Sequence, residues 1–342
     1  MNPTSAARLS RLRLPPAATA IAVAVLTGGA LVLASGANPF RAYYEIIVGS
    51  LSWASLPDTL NWGAPLVGMA IAASLPLRGG MINLGGDGQL VIGGLVSALV
   101  ALYLPAPGLI AVIVAMIAAA IAAGLYAWLA AWGETRHGIP MLVSSLLLNY
   151  PAVGVCSYTV RFVLRDTATG LPQTKMIPEG TRLLTIAGPL NVGMLIIAAI
   201  AVAVIFIDRR AIIGYELRLR GVNKRFAGYG GVKLDAQAMR VMFASGAIAG
   251  LVGAILVLGS EFRFIDGALL LPNYTYSGLM AALLAGGEPI GTIAAGLFFA
   301  ALQTGGFAMQ RETTIPRVLT RVLESIVILF LAVRHGVGRR SS

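Results

Sequence analysis

Long apolar stretches recur along the whole of this chain, and they constrain it more than any motif does. One covers 16–36; others lie near 60–77, 88–104, 108–131, 140–163, 191–207, 239–259, 276–290, 291–308 and 318–333. Most approach the roughly 20 residues that an α-helix needs to cross a bilayer. A transmembrane β-barrel would show segments of about 10 residues with alternating polarity, whereas these runs are continuous and rich in Leu, Ala and Val. With 57% hydrophobic and 11% charged residues and a mean hydropathy of +0.83, little sequence remains for a soluble domain. The chain reads as an all-α, polytopic membrane protein of about ten transmembrane helices. Its membrane domain covers 16–333, between a short N-terminus, 1–15, and a tail, 334–342.

A net charge of +11 in a soluble chain would suggest nucleic acid. In a membrane chain it is read loop by loop, since Lys and Arg collect on the cytoplasmic side, and no nucleic-acid partner is expected. Three Arg before the first run, Arg78, Arg136, eight basic residues over 208–240 and three in the tail put sixteen of the 25 Lys and Arg inside. Both termini are therefore expected in the cytoplasm. Arg311, Arg317 and Arg321 oppose the pattern, and Gly286, Gly287 and Pro289 leave 276–308 as either two spans or one interrupted by a re-entrant break. The first run is long for a signal-peptide core and reads as a retained anchor. Cys156 is the single cysteine, suited to core packing and unable to form an internal disulfide. His137 and His335 are far apart and offer no metal site, and no G-x-x-x-x-G-K-[ST] is present; no cofactor is expected.

Against this background "GGMINLGGDGQL", Gly79 to Leu90, stands out. Non-helical backbone survives at membrane depth only when it is buried in protein or faces a wet cavity, because orphaned N–H and C=O groups are costly in hydrocarbon. On one reading the glycines permit such a path and Asp87 faces the bundle interior or a solute path. On the other, 78–88 is a cytoplasmic turn with a solvated acid. Asn149, with Ser144 and Ser145, suits interhelical hydrogen bonding, and Ser245, Gly246, Gly250 and Gly253 suit close helix packing. Tyr126, Trp128 and Trp132 read as an interfacial belt. Glu324 pairs locally with Arg321.

The segment 208–239 is too polar to enter the bilayer and carries Arg209, Arg210, Arg218, Arg220, Lys224, Arg225 and Lys233. A basic loop of this kind is attracted to anionic lipid. Here the charges are interleaved with Tyr215, Phe226 and Tyr229, a composition that docks into a groove on a protein partner. Glycines at 221, 228, 230 and 231 limit a helix over "VNKRFA" to a turn or two.

"RGGMINLGGDGQLVIGG" resembles the "aGlfNIGxEGQmliGA" signature of bacterial ABC-importer permeases of the branched-chain amino acid and simple-sugar class. The similarity is greatest to the nucleoside-type members that work with a basic-membrane-protein-like receptor. "SSLLLNYPAV" is similar to that group's "ttlMLNyia", "GYELRLRGVNKRFAGYGGV" to "GfelRAvGeNpxAArYaGI", "FASGAIAGLVGA" to "lSGalAGLaGa", and "LMAALLAGGEPIGTIAAGLFFAALQTGG" to "iAVALLGgnxPiGiilaAllFgaL". The extra first span with "NPFRAYYEIIVGS" resembles the longer permease of such pairs.

The resemblance implies a transport component of the bacterial plasma membrane, with no catalytic residues of its own. It would pair with a second, homologous permease, a cytoplasmic ATPase subunit and an extracytoplasmic substrate-binding lipoprotein, and would carry a nucleoside or simple sugar. Asn83, Asp87 and Gln89 match the Asn, Glu and Gln of the signature, and Asn149 the Asn of "LNY"; these four are the expected substrate-path residues. Asn223, Lys224, Arg225, Phe226 and Tyr229 fall in the stretch that receives the ATPase, where Phe226 replaces an Ala and Gly228 an Arg. The alternative class is an ion-gradient-driven carrier or channel, which calls for several intramembrane carboxylates. Of these the spans offer Asp87 and Glu324.

Overall fold

A computed structural model describes residues 16–34, 36–313, 322, 325 and 326. Of the expected last span, 318–333, the described residues include 322, 325 and 326 alone, and the Arg321–Glu324 pair and both charged termini lie outside them. The chain divides into two compact units, one formed by residues up to Ser55 and from Ala301 onward, the other by Leu56–Ala300.

In the smaller unit, α1 (Pro16–Ala34) is followed by α2 (Pro39–Leu51), a helix that the apolar pattern does not single out. Its start is encoded locally. The Asn38 side chain accepts from Phe40 N at 2.9 Å, and Pro39 supplies a pre-set φ at the first helical position. Val32, Ala42, Ile46 and Met309 close a small core, and Gly305 meets the Ile46 carbonyl where no larger residue fits.

The larger unit contains α3 (Leu56–Arg78), α4 (Gly86–Tyr103), α5 (Gly108–His137), α6 (Met141–Tyr158, extended by a π turn to Val163) and α7 (Val192–Arg210). Next come α8 (Ile212–Val222), α9 (Lys224–Tyr229), α10 (Leu234–Leu256, extended by a π turn to Glu261), α11 (Tyr274–Leu284) and the start of α12 (Pro289–Glu312). A two-stranded hairpin, β1 (Thr185–Ala187) with β2 (Leu190–Asn191), lies between α6 and α7. Among the described residues seven helices are long and apolar enough to cross a membrane: α3, α4, α5, α6, α7, α10 and α12. The chain is a multi-pass, helical membrane protein.

One expected span is not a full helix. Over 276–290 the chain forms only α11, whose 11 residues reach about 16 Å, half of a hydrocarbon core. Asn273, at φ 58, opens it, and Gly286 and Gly287, at φ 61 and 76, turn the chain before Pro289 begins α12. Neither sequence reading of 276–308 describes the structure in full: the glycines do break the chain, but a half-length α11 precedes the break and a full-length α12 follows it.

The core is organised around α10, the most enclosed span, which packs between α4 and α5. Small residues make this possible. A Cβ on Gly253 would lie 2.1 Å from the Leu90 carbonyl oxygen, and one on Gly93 would lie 2.3 Å from Gly250 Cα. On the other side Gly246 and Gly250 sit against the backbone of Ala123 and Ala119.

Candidate functional site

Helix α3 ends in a Schellman arrangement: Gly80, at φ 71, donates to the Leu77 carbonyl, and Met81 N donates to the Pro76 carbonyl at 2.9 Å. Residues 81–85 then run without helical hydrogen bonds until α4 begins. Side chains of α6, and Asn83 itself, replace the missing partners. Leu84 N donates to Ser145 Oγ at 3.0 Å, the Leu84 carbonyl accepts from Asn149 Nδ2 at 2.7 Å, and Gly88 N donates to Asn149 Oδ1 at 2.8 Å. Asn83 folds back, accepting from Gly85 N at 2.9 Å and from Gln89 Nε2 at 3.1 Å. Its Nδ2 donates to Gln89 Oε1 at 3.0 Å and to Ser245 Oγ at 2.9 Å, and Ser245 donates on to the Ala72 carbonyl at 2.6 Å. All five side chains are buried. Three of the expected path residues, Asn83, Gln89 and Asn149, are thus brought together, and each of their amide groups is engaged in holding the break. Ser145 and Ser245 complete the network; the sequence marks them only as small polar residues suited to packing.

Asp87 stands outside that network. It lies in the first turn of α4, half-buried, between Gly86, which meets Met69 and Thr275, and Gly88, which meets Asn149 and Ala152. Three helices fix its depth. Met69 is nine residues before Arg78, Asn149 nine after Pro140, and Thr275 nine before Leu284, each about 13 Å along its helix. Asp87 therefore sits about this distance, along each of three helices, from the Arg78 end of the bundle. Two helices begin at this depth and diverge: α4 leads away from the Arg78 end, while α11 runs toward it, with Gly278 against Met69 and Ala70 and Gly287 against Arg78. Their N-termini carry the positive ends of the helix dipoles, which favours a carboxylate between them. Thr275 Oγ1, close by at the start of α11, is buried and has no hydrogen-bond partner among the described residues.

The second candidate region is α8 with α9. Asn223 caps α9 by accepting from Phe226 N at 3.0 Å, and Lys224 Nζ lies 3.9 Å from Glu134. Arg225, Phe226 and Tyr229 are exposed, Tyr229 at 92%. α8 is anchored inward. Leu217 packs with Met81 and Met242, and Gly221 meets the Arg78 carbonyl. Arg220 is buried, donates to the Leu234 carbonyl at 2.5 Å, and has its pKa lowered by that burial. Asp208 accepts from Arg78 at 3.1 and 3.2 Å and lies 3.5 Å from Arg218. Arg78, Asp208 and Leu217 are the residues that sequence reasoning missed here; in the sequence Arg78 marks only sidedness.

Membrane-crossing helices interrupted inside the bundle around an acid are the architecture of a solute permease, where irregular backbone is tolerated because it lines a path. The chain belongs to the branched-chain amino acid transport system / permease component family, which matches residues 55–332. It is 29% identical to a glucose ABC transporter permease protein of Haloferax volcanii, over 92% of this chain and 86% of that protein. It is 28% identical to a nucleoside ABC transporter permease protein of Lactococcus lactis, over 92% and 89% of the two chains. It is also 28% identical to a guanosine ABC transporter permease protein of Bacillus subtilis, over 96% and 95%. The chain is accordingly an ABC transporter permease, a transport component and not an enzyme.

Proposed function

We propose that this chain is the longer of two homologous permease subunits of an ABC importer for a nucleoside or simple sugar. A cytoplasmic ATPase drives it, and an extracytoplasmic substrate-binding lipoprotein feeds it. The observation that carries this reading is the junction of α4 and α11 inside the bundle. Asp87 and its neighbours form a polar surface at a depth where lipid cannot solvate it, so a second subunit and the solute between them have to cover it. In this reading 16–333 is the membrane domain, and both termini lie in the cytoplasm with 208–239. Anionic lipid contacts the basic loop, and Asn223 to Tyr229 receive the ATPase. The exposed Phe226 and Tyr229 beside Lys224 and Arg225 fit a groove on such a partner. An ion-gradient carrier is less well supported, because the relatives are ABC permeases.

The test is a pull-down of the tagged protein from detergent, followed by uptake assays on Phe226→Asp. The ATPase and a second permease are expected to co-purify with the parent chain. Phe226→Asp is expected to lose the ATPase and ATP-dependent uptake while remaining in the membrane, since burying an unpaired carboxylate in the contact costs several kcal/mol. Transport in liposomes by the purified chain alone, without ATP, would overturn the proposal.

A further inference from the structure

Arg78, the last residue of α3, is where that helix meets three other elements. Its carbonyl lies against Gly221 of α8, and its backbone nitrogen against Gly287, in the turn between α11 and α12. Its guanidinium donates to both carboxylate oxygens of Asp208, near the end of α7, at 3.1 and 3.2 Å. Asp208 is buried and also lies 3.5 Å from Arg218 of α8. Gly214 packs on the Ile207 carbonyl and on Asp208 itself, so the end of α7 and the start of α8 form one closed elbow. Glu288, next to Gly287, accepts from Gly291 N at 2.6 Å and lies 3.7 Å from Arg209, beside Asp208 on α7.

Both interruptions of the bundle are reached from this point. Met81, where the non-helical stretch begins, packs with Leu217 of α8, which also meets Gly79. On the other side α11 lies along α3, from Gly278 against Met69 to Gly287 against Arg78. A shift of α8 therefore bears on the 81–85 break and on α11 together. The apolar contacts of Leu217 and Gly221 can push on the end of α3, but dispersion between a few atoms hardly resists being pulled apart. A bidentate, charge-assisted pair does resist it. We infer that Asp208 is a positioning residue for transport: it ties α8 to Arg78, so that movement imposed on α8 in either direction is delivered to the break and to α11. This rests on the permease reading above, in which α8 leads through Asn223 directly into the ATPase contact. The transmitting charge is thus a buried acid outside that contact.

The test uses the assembled transporter in membrane vesicles, with Thr275→Cys as a reporter in a Cys156→Ala background. Thr275 is buried at the start of α11 against Gly86 of α4, so a maleimide reaches a thiol there only when the two helix starts part. ATP with vanadate is expected to change the labelling rate by about threefold or more in this parent. Asp208→Asn keeps the volume and an acceptor but removes the charge. Arg218→Gln cuts the link to α8 and leaves the pair with Arg78. Each is expected to abolish the nucleotide dependence of labelling while the ATPase still co-purifies. An ion pair that is merely structural predicts instead that the rates with and without nucleotide change together, so that their ratio stays that of the parent. A nucleotide response preserved in either variant, or absent from the parent, overturns the inference while leaving the permease reading standing. Failure of the ATPase to co-purify with the parent would instead remove the reading beneath it.

Discussion

Replacing Gly253 with alanine adds one methyl group at the tightest helix crossing in the core. The new Cβ would lie 2.1 Å from the Leu90 carbonyl oxygen and 2.8 Å from Gly94 N, both backbone atoms that no rotamer change can move aside. Restoring an ordinary carbon–oxygen contact of about 3.3 Å requires α10 and α4 to separate by roughly 1 Å. Retreat is blocked from behind. Gly250 lies with its missing Cβ 2.6 Å from the Ala119 carbonyl oxygen, and Gly246 lies 2.5 Å from that of Ala123. The cost is that of overpacking, about 1–3 kcal/mol, and toward the upper end because the obstacle is rigid. Thermal unfolding of the detergent-solubilised protein, followed by the loss of monodisperse material, should fall by roughly 5 °C. Gly154→Ala is the control: it lies in α6 with nothing within 4 Å of its missing Cβ, so relief of glycine's backbone entropy should leave stability equal or slightly higher. Equal melting temperatures for the two variants would refute the argument that glycine at 253 is required by contact across the crossing.

Asp208→Ala leaves Arg78 and Arg218 facing each other; since these are 24% and 33% exposed, water offsets part of the loss, and destabilisation of about 2–3 kcal/mol is expected in the same melting assay. A melt unchanged at low salt would show that the ion triad contributes nothing. Asn149→Leu orphans the Leu84 carbonyl and the Gly88 N–H inside the bundle, at about 1–3 kcal/mol each, so it should lower the melting temperature whether or not solute is present. Normal stability with altered solute selectivity would instead give Asn149 the recognition role its sequence position suggests.

Much of the architecture is legible in the sequence because a bilayer leaves few alternatives: apolar runs of sufficient length form helices, and α3, α4, α5, α6, α7, α10 and α12 lie close to their expected limits. The small-residue stripe on α10 is equally readable, since glycine at helical spacing has little other use. α2 is missed because its signal is a cap, Asn38 with Pro39, and not hydropathy. Over 276–290 the Gly286–Gly287 pair marks the break in the sequence, but composition does not reveal that Asn273 opens the helix so late that only half a span precedes it. At the candidate site, motif reading locates Asn83, Gln89 and Asn149 but cannot say which way their amides are spent. That depends on Ser145 and Ser245, which lie 61 and 162 residues from the groups they serve.

Those separations also set an order of assembly. At about 5–20 residues per second, Ser145 leaves the ribosome roughly 3–12 s after Leu84, and Ser245 roughly 8–32 s after Asn83. Until α6 is made, the Leu84 N–H and carbonyl lack the partners they find on Ser145 and Asn149, so this stretch cannot settle inside the bundle when it is first made. The N-terminal helices have to wait in a provisional, hydrated arrangement until α6 arrives, and the Asn83 amide gains its Ser245 partner only with α10.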